Sequence, residues 1–596
     1  MAAKKLRRAE GVASSSRVRD SVAEILKAMA RLIVDSAKTR GGCKTHEVFN
    51  QPPPLAGYNL YLADRTLVDA IERESAGWAD KQLRELGEFL GTEEAQRWAV
   101  EANQNEPVLH THDRFGNRRD EVEFHPSWHN LMRTSIAQRI HSLPWAEPRK
   151  GAHVARAALL LLAAQNELGH VCPVSMTFSA VASLRADPEL AAQWEPRTLS
   201  SSYDPRFLPA TEKSGILVGM GMTEKQGGSD VRANTTRAER LGNPREYLIT
   251  GHKWFCSAPM CDAFLILAQA PKGLSCFFLP RWTPAGERNA FHIQRLKNKL
   301  GNRSNASSEV EFERAWAVLV GEESRGIQTI MDMVHHTRLD CAIAAAALMR
   351  QAVVQAIHHA RHRKAFGKRL IEQPLMRNVL ADLAIEAEAA ELLVVRLARA
   401  FDSRGSDEHE RAFARIATAV SKYWLCKRAP VHVGEALECL GGNGYVEESI
   451  MPRLYREAPL YSIWEGSGNV ICLDILRAIA REPNSLAAIL QEIRLGAEAD
   501  GRLNAYISDL ESALNKQTKQ AAEDSGAGSE AEARSLAEKT ALALQASLIV
   551  RYGSPAVADA FCSSRIAGNY GHTFGTLSSE VNIQSILDAA SNSLPA

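Results

Sequence analysis

The spacing of apolar residues divides the chain into helical, β-rich and again helical regions. Residues 46–215 mostly repeat their apolar positions every three to four residues, which is typical of amphipathic helices. Between 216 and 320 this pattern gives way to short β-branched and aromatic runs separated by Gly, Asn and Pro, which predict an antiparallel sandwich or barrel. The helical period returns from 326 to 482 in long Ala- and Leu-rich segments that predict a helical bundle.

We therefore predict an α+β protein of several domains, because 596 residues are too many for one core. The parts are a basic N-terminal arm (1–45), an N-terminal α-helical domain (46–215), a middle antiparallel β-domain (216–325), a C-terminal helical bundle (326–483) and a C-terminal helical extension (484–596). Within the extension, KQAAEDSGAGSEAEAR (519–534) is rich in Gly, Ser and acids and predicts a flexible loop or linker.

One β-like segment interrupts the first helical region. THDRFGNRRDEVEFHPSWH (111–129) alternates around Phe115-Gly116-Asn117 and predicts a short hairpin. This part of the chain also holds four histidines, at positions 110, 112, 125 and 129. They lack the H-E-x-x-H arrangement that makes a zinc motif specific, so we expect structural histidines and no metal site.

Composition and charge change this picture little. The 71 basic and 70 acidic side chains give a net charge of +1, so no global field argues for a nucleic-acid or membrane partner. Ten cysteines without a C-x-x-C pair argue against a zinc ribbon or disulfide framework and favour a reducing compartment. No continuous apolar run reaches the ~18 residues of a membrane span, and we expect none. Cytoplasm and mitochondrion both stay open.

The N-terminal arm has a charge balance of its own. Residues 1–44 hold 11 Lys or Arg against 4 Asp or Glu, and residues 17–40 are amphipathic. A transit peptide, a surface-binding arm and a solvated helix would all fit. Glu10 and Asp20 weaken the first alternative, because transit peptides are poor in acidic residues.

Two glycine-rich segments are candidates for ligand chemistry. GMGMTEKQGGSD (219–230) lies where the helices give way to the β-region, and its glycines can let the backbone approach a planar ligand. It has neither the spacing of a nucleotide P-loop nor a surrounding βαβ unit. YSIWEGSGNV (461–470) places Glu465 between Trp464 and two glycines, although each glycine disfavours a helix by about 1 kcal/mol.

Taken in order, five segments resemble the acyl-CoA dehydrogenase family. They are the loop at 219–230, GHKWFCSA (251–258), RHRKAFGKRLIEQPLMRNVLADLA (361–384), LGGNGY (440–445) and IWEGSGN (463–469). HEVFNQPPPL (46–55) and KNKLGNRSNASSEVEF (297–312) are similar to the adaptive-response (AidB-like) branch of that family. The resemblance runs from about residue 46 to 482 and more loosely to the C-terminus.

The resemblance implies FAD as the cofactor and names the residues that would bind it. From the glycine-rich loop and the following strand these would be Met220, Met222, Thr223, Gly228, Ser229, Trp254, Phe255, Cys256 and Ser257. A neighbouring subunit would add Arg363, Phe366 and Gln373, and the turn would supply Gly441, Gly442 and Gly444. Around the base, the cofactor would contact Ile463, Trp464, Gly466, Ser467 and Asn469.

The resemblance also implies α,β-dehydrogenation of an acyl-CoA thioester. Glu465 would be the catalytic base that removes the α-proton while a hydride passes from Cβ to flavin N5. Burial against Trp464 would raise the pKa of this carboxyl toward the range that suits a general base. Some relatives place the base on a helix of the following domain, where this chain has Thr337, which cannot serve. The resemblance further implies that the C-terminal bundle has four helices. It also implies a homo-oligomer, typically a tetramer.

The adaptive-response branch implies an alternative function. A flavoprotein of that branch would bind DNA and protect it from alkylation, with weak or vestigial dehydrogenase activity. Such binding is linked to the C-terminal extension and should appear as a basic face. Residues 484–596 instead hold 8 Lys or Arg against 13 Asp or Glu, although a local basic patch could survive this average. The acyl class and the electron acceptor are not legible from the sequence.

Overall fold

The first part of the described chain is helical, apart from one hairpin. A computed structural model describes residues 45–523, 530–591 and 594–595, so the predicted basic arm lies outside the described residues except for its last position. The hairpin expected around Phe115 is confirmed, with β1 (Val108–His112) antiparallel to β2 (Arg118–Glu123). Helices α1 to α8 are Arg65–Arg73, Asp80–Leu90, Glu93–Gln104, Pro126–Ala137, Leu143–Ala146, Ala152–Asn166, Val171–Leu184 and Pro188–Thr198.

Side-chain caps and burial explain where these helices form. Asp64, Thr92 and Asp187 each accept a hydrogen bond from a backbone N–H in the first turn of α1, α3 and α8. Helices α6 and α7 are apolar on nearly every face because they lie in the interior. All residues of α7 are buried except Ser175 and Ala182.

The middle region is a barrel with two additional strands. Strands β3 to β9 are Val218–Gly221, Arg237–Arg240, Glu246–Ser257, Ala263–Ala270, Gly273–Pro280, Phe291–Leu296 and Ser307–Val320. Antiparallel pairs β4–β5, β5–β9, β9–β7 and β7–β6 and one parallel contact between β4 and β6 close the ring. Strand β8 pairs with β9, while β3 runs parallel to β6, with Val218 opposite Ala263. The sheet is therefore not wholly antiparallel as predicted, because β3 enters from the helical region in the same direction as β6.

Long helices return after the barrel. They are α9 (Gly326–His362), α10 (Pro374–Ser403) and α11 (Glu408–Cys439), followed by the short helices α12 (Gly442–Tyr445) and α13 (Met451–Glu457) and then α14 (Gly468–Arg481). Helices α9, α10 and α11 pack on one another, and α14 packs on α11. A small hairpin of β10 (Lys364–Ala365) and β11 (Lys368–Arg369) joins α9 to α10. The order of helices, β-domain and helices confirms the predicted fold class.

Helix α9 is strongly apolar on average, although polar residues interrupt its apolar runs. By length and mean hydropathy it is the one helix among the described residues that could cross a membrane. Almost all of its most apolar stretch is buried inside the protein, however, against α6, α7, α10 and α11. This is the behaviour of a core helix.

The C-terminal extension packs on α10 and α11. It consists of α15 (Pro483–Arg494), α16 (Gly501–Glu523), α17 (Ala533–Tyr552), α18 (Pro555–Phe561), a π-helical turn (Cys562–Ile566) and α19 (Ile583–Ser591). The flexible loop predicted at 519–534 is wrong at both ends, where α16 and α17 continue into it because Ala, Glu, Gln and Lys favour helix. Its middle, residues 524–529, lies outside the described residues. Arg565 ties the extension to α10 through a buried ion pair with Glu386 at 3.0 Å.

Candidate active site

Glu465 lies in a strained loop just before α14. Its backbone φ is 58° and that of Gly466 is 109°, and the first of these costs free energy in a residue with a side chain. Cations on two helices hold this conformation. Lys422 of α11 donates to the carbonyl oxygens of Trp464, at 2.9 Å, and of Gly466, while Arg338 of α9 donates to the carbonyl of Glu465 at 3.0 Å. Strain of this kind, held by its surroundings, is typical of a functional site.

The carboxyl group of Glu465 is half-buried and has one hydrogen-bond donor nearby. Thr337 Oγ1 donates to Glu465 Oε2 at 2.7 Å. Burial raises the pKa of Glu465 above its ordinary value, against the hydrogen bond from Thr337 and the charges of Arg338 and Lys422, while the charge of Asp340 adds to the rise. A raised pKa suits a general base. From the sequence, Thr337 was noted only as a residue that cannot act as the base. The structure shows that it donates a hydrogen bond to the carboxyl group of the base.

Arg338 is in turn fixed by an ion-pair network. Its Nη1 lies 2.8 Å from Asp474 Oδ2, and Asp474 Oδ1 lies 3.0 Å from Arg415 Nη2. Arg338 and Asp474 are both buried. Because these residues belong to α9, α14 and α11, the network connects three helices to the loop that carries Glu465.

The predicted neighbours of Glu465 occupy different surroundings. Trp464 packs edge-on against Tyr461, with ring centroids 5.4 Å apart, and its buried Nε1 has no hydrogen-bond partner among the residues that the structure describes. Ile463 is exposed, and Ser467 is the N-cap residue of α14. Asn469 Oδ1 accepts a hydrogen bond from Arg534 Nε of α17 at 2.9 Å. The extension therefore contacts the segment that follows the base.

The glycine-rich loop after β3 lies against β5. Met220 is in β3, and Trp254 N donates to the Thr223 carbonyl at 2.8 Å. Beneath the loop, Lys253 Nζ lies 2.9 Å from Glu224 Oε1, and both side chains are fully buried. Burial raises the pKa of the Glu224 carboxyl, but the Lys253 ammonium and several hydrogen bonds outweigh it and hold the pKa well below its usual range. This pair fixes the loop to the barrel.

Met222 and Thr223 of this loop are partly exposed. Close packing within the loop favours glycine at position 228. A Cβ on Gly228 would lie only 2.4 Å from Thr223 Oγ1. Ser229 follows it and is exposed. Because the Gly228 backbone packs directly on Thr223, any side chain at this position would displace the threonine.

Two aromatic side chains of β5 face outward beside this loop. Phe255 is 49% exposed and Trp254 is half-buried. The Lys297 ammonium lies 3.3 Å from the centroid of the Trp254 ring. Large apolar groups left at a surface often mark a binding site. Their neighbour Cys256 is instead fully buried, and burial raises the pKa of its thiol to about 12.

Cys172 lies in the first turn of α7. This thiol is buried. Burial raises its pKa to about 12, and the charge of Glu465 contributes to the rise.

The other predicted cofactor residues lie on turns away from this centre. Arg363 follows α9, and Phe366 at the tip of the β10–β11 hairpin has a φ of 51° and is 99% exposed. Gln373 Nε2 donates to the Ala365 carbonyl at 3.1 Å. In the described part of the chain, no hydrogen bond or ion pair joins Phe366 or Gln373 to β5 or to the Glu465 loop. Their contribution to a neighbouring subunit's site stays a prediction.

The glycine turn after α11 is also separate from the base. Gly441 has a φ of 59°, and Gly442 begins α12. Gly444 is buried where a Cβ would lie 2.2 Å from the Leu437 carbonyl oxygen. The backbone thus requires glycine at 441 and 444 whatever the turn binds.

These residues fit the flavin dinucleotide that the sequence resemblance implies. Trp254 and Phe255 offer a flat apolar surface, and the buried Nε1 of Trp464 is a donor that lacks a partner. In the described part of the chain, no atom other than those of Gly227 and its two sequence neighbours lies within 4 Å of the Cβ position of Gly227, so the backbone there is open to a ligand. The hydroxyl of Thr223 stands beside it.

Several residues that shape the site were missed from the sequence. Lys422 and Arg338 hold the base loop, Asp474 holds Arg338, and Glu224 with Lys253 supports the glycine-rich loop. Two of them gave a signal, because Lys422 in ATAVSKYWLC (417–426) and Asp474 in VICLDIL (470–476) are charged residues in otherwise apolar segments. Charges in such positions are buried only when they are paired.

Comparison with known proteins agrees with this geometry. Family profiles match for the adaptive response protein AidB N-terminal domain at 50–205, the acyl-CoA dehydrogenase middle domain at 219–315 and the acyl-CoA dehydrogenase C-terminal domain at 324–480. A putative acyl-CoA dehydrogenase AidB of Escherichia coli K12 is 47% identical over 521 residues, which cover 87% of this chain and 94% of that protein.

Relatives from Caenorhabditis elegans match as well. Acyl-CoA dehydrogenase family member 11 is 28% identical over 81% of this chain and 80% of its own length. The crystal structure of C. elegans ACDH-11 in complex with C11-CoA superposes with a TM-score of 0.79 at 25% identity, covering 94% of this chain and 95% of that one. The chain belongs to the acyl-CoA dehydrogenase family of FAD-dependent oxidoreductases that act on CH–CH groups, and its N-terminal domain is of the adaptive-response type.

Proposed function

We propose that this protein introduces a double bond between Cα and Cβ of an acyl-CoA thioester, with Glu465 as the catalytic base. The observation that carries the proposal is the half-buried side chain of Glu465, whose pKa is raised and whose loop is held in a strained conformation by Lys422 and Arg338. Such a group is a good proton acceptor once it is ionised.

The residues around Glu465 each contribute to the position of this base in a different way. Thr337 occupies Oε2 of Glu465, which leaves Oε1 to accept the α-proton of the substrate. Arg338 and Lys422 bind backbone carbonyls of the loop, so they orient the carboxyl group without forming an ion pair with it. Trp464 packs edge-on against the buried ring of Tyr461, which fixes the residue that precedes the base.

The cofactor and the substrate class follow from the family and its relatives. FAD, when bound, supplies the acceptor for the hydride that leaves Cβ. Trp254, Phe255, Thr223 and Ser229 would hold it against the barrel, and residues of the β10–β11 hairpin would reach it from a neighbouring subunit. We therefore expect at least a dimer, and a homotetramer as in the family. A thioester substrate is supported by the C. elegans relative solved in complex with C11-CoA.

DNA protection, the second function that the sequence resemblance implied, gains no support from the extension. Arg534 instead hydrogen-bonds to Asn469. Salt-dependent binding of duplex DNA by the purified protein would test this alternative. Five of the eight Lys and Arg residues in 484–596 form ion pairs with acidic side chains, and they are Arg494, Arg502, Lys516, Arg551 and Arg565.

The decisive experiment is anaerobic bleaching of the flavin by a panel of acyl-CoAs. We expect at least one thioester to bleach the wild-type protein and the Glu465→Gln variant to lose the reaction while it keeps its FAD. Glu457→Gln is the matched control, because Glu457 is also buried and burial raises its pKa to about 7. Loss of bleaching in Glu457→Gln but not in Glu465→Gln would overturn the assignment of the base. A yellow protein that no thioester bleaches would overturn the proposed reaction.

A further inference from the structure

A cavity of about 260 Å³ lies between the N-terminal part of α9 and the turn that joins α10 to α11. Pockets that hold drug-sized ligands have volumes of about 300–1,000 Å³ and mostly apolar walls. This cavity is smaller and is lined largely by charged and polar side chains, so it suits one small polar group. The lining residues are Asp332, His335, Arg404, Gly405, Arg411, Ala414 and Arg415.

Two of the three arginines in this lining have no counter-charge. Arg404 is half-buried and donates to His336 Nε2 at 3.3 Å. His336 Nδ1 hydrogen-bonds with the Asp332 carbonyl at 2.8 Å, so its ring is a neutral acceptor for Arg404. Arg411 is exposed. Among the residues that the structure describes, neither arginine forms an ion pair with an acidic side chain.

The third arginine shares a carboxylate with the network that holds the base loop. Arg415 Nη2 lies 3.0 Å from Asp474 Oδ1, and its Nε lies 3.1 Å from Glu482 Oε1. Asp474 also pairs with Arg338 at 2.8 Å, and Arg338 donates to the carbonyl of Glu465. The arginine in the cavity wall and the arginine that holds the loop therefore compete for one carboxylate.

The other side chains add little negative charge to the cavity. Asp332 is the one acidic residue among the described residues that line it, and it is exposed. Burial and the charges of Arg338 and Arg415 lower the pKa of His335 to about 3, so its ring is neutral near pH 7. The cavity thus carries more positive than negative charge.

The shape and charge of the arginines indicate what could bind. A guanidinium group can donate two parallel hydrogen bonds to a phosphate or to a carboxylate. A phosphoryl group carries about −1.5 to −2 charges near pH 7, whereas a carboxylate carries a single charge. Because both Arg404 and Arg411 lack a counter-charge, the phosphoryl group matches them better.

We propose that this cavity binds a phosphoryl group through Arg404 and Arg411, and that Asp474 competes with this group for Arg415. The group would belong either to the coenzyme A part of the substrate, which rests on the proposed function, or to a free phosphate. A group bound here acts on the ion pairs that hold the Glu465 loop, because coupling through a shared residue is reciprocal.

The first test is titration calorimetry of the FAD-bound protein with inorganic phosphate at constant ionic strength. Arg404→Met and Arg411→Met should each weaken binding about tenfold or more, because each removes charged hydrogen bonds to the anion. Arg411 is exposed, so its variant should fold even if the half-buried Arg404 does not tolerate replacement. Wild-type affinity for phosphate and for coenzyme A in a folded Arg411→Met protein would overturn the proposal.

Arg65→Met is the matched control for the loss of one positive charge. Arg65 is exposed at the start of α1. Its neighbour Asp64 contacts α9 at Arg350, with Oδ2 3.4 Å from Nε. That contact lies about four helical turns, roughly 22 Å, along α9 from His335. Phosphate affinity should therefore stay at the wild-type level, and a tenfold loss in this variant would show that binding follows net charge and not the cavity.

A second pair of variants tests the competition for Arg415. Asp474→Asn removes a carboxylate that binds Arg415, so phosphate should bind about threefold more tightly or better. Glu482→Gln releases the same arginine but keeps the pair between Asp474 and Arg338, so it should change affinity in the same direction. Unchanged or weaker phosphate binding in both folded variants would contradict the competition.

Displacement experiments identify the source of the phosphoryl group. Phosphate that competes with coenzyme A for the protein would show that the substrate supplies the group, and phosphate that binds alongside coenzyme A would show that a free phosphate does. Either result supports the cavity as the site if Arg411→Met weakens the binding. Flavin bleaching by acyl-CoAs tests the proposed reaction separately: a protein that binds phosphate here but that no thioester bleaches would contradict the reaction and leave the site supported.

Discussion

The hydrogen bond between Thr337 and Glu465 makes the chemistry of the base measurable through pH. Thr337→Val removes the hydroxyl that donates to Glu465 Oε2 at 2.7 Å and keeps a β-branched side chain in its place. That bond stabilises the ionised carboxylate, so its loss makes protonation easier and raises the pKa of Glu465 further. Since the carboxylate is the form that accepts a proton, the rate of flavin reduction should require a higher pH in the variant.

The size of this effect follows from the geometry. A hydrogen bond to a charged group contributes about 1.5–3 kcal/mol to stability, and about 1.4 kcal/mol corresponds to one pKa unit. Because Glu465 is only half-buried, we take the lower end and expect the acidic limb of the profile to move up by about one pH unit. Well above that limb, where both proteins carry an ionised Glu465, their rates should agree within a few-fold.

The assay is stopped-flow reduction of the flavin by a thioester across a pH series. Thr337→Ser is the matched control, because it keeps the hydroxyl and should keep the wild-type profile. A limb that stays in place in Thr337→Val, or that moves to lower pH, would show that the hydroxyl does not act on the ionised base.

Three further substitutions test the supports of the site. Glu224→Gln should lower the free energy of unfolding in urea by about 3–5 kcal/mol, because Lys253 is left buried and unpaired. Adding Lys253→Met should recover most of this loss. A loss below about 1 kcal/mol in Glu224→Gln would contradict the prediction. Asp474→Asn should slow flavin reduction about tenfold or more with FAD content unchanged, because Arg338 loses its ion-pair partner. A native rate would show that Arg338 does not need Asp474 to hold the loop. Gly466→Ala should cost about 1–3 kcal/mol in thermal unfolding because of its positive φ, and an unchanged melting temperature would contradict the strain.

The overall fold was accessible from the sequence because periodicity and turn residues report on local structure. Helices such as α7 and strands such as β6 are apolar enough for their burial to be expected from composition alone. The direction of β3 was not accessible, because a four-residue strand carries no signal of its partner. The ends of 519–534 were mistaken for loop because Gly and acidic residues in its middle dominated the composition.

The site was only partly accessible from the sequence for a different reason. Glu465 stood out because its neighbours Trp464 and Gly466 are unusual in one stretch of chain. Thr337 and Lys422 lie 128 and 42 residues or more from the atoms that they contact, so their roles depend on tertiary packing that no local pattern encodes. The sequence shows that a hydroxyl and a positive charge occur at these two positions, but it does not show which atoms they contact.

The placement of the two cations resolves a conflict that any carboxylate base in this loop would meet. A positive φ at Glu465 needs strong partners to hold it, and buried cations are the strongest that the chain has. If Arg338 and Lys422 formed ion pairs with the carboxylate, they would lower its pKa further than their charges already do and would weaken it as a base. They bind the carbonyl oxygens of residues 464, 465 and 466 instead, and Asp474 neutralises Arg338 from the far side. The two cations therefore hold the strained backbone of Glu465, while burial still raises the pKa of its carboxyl group.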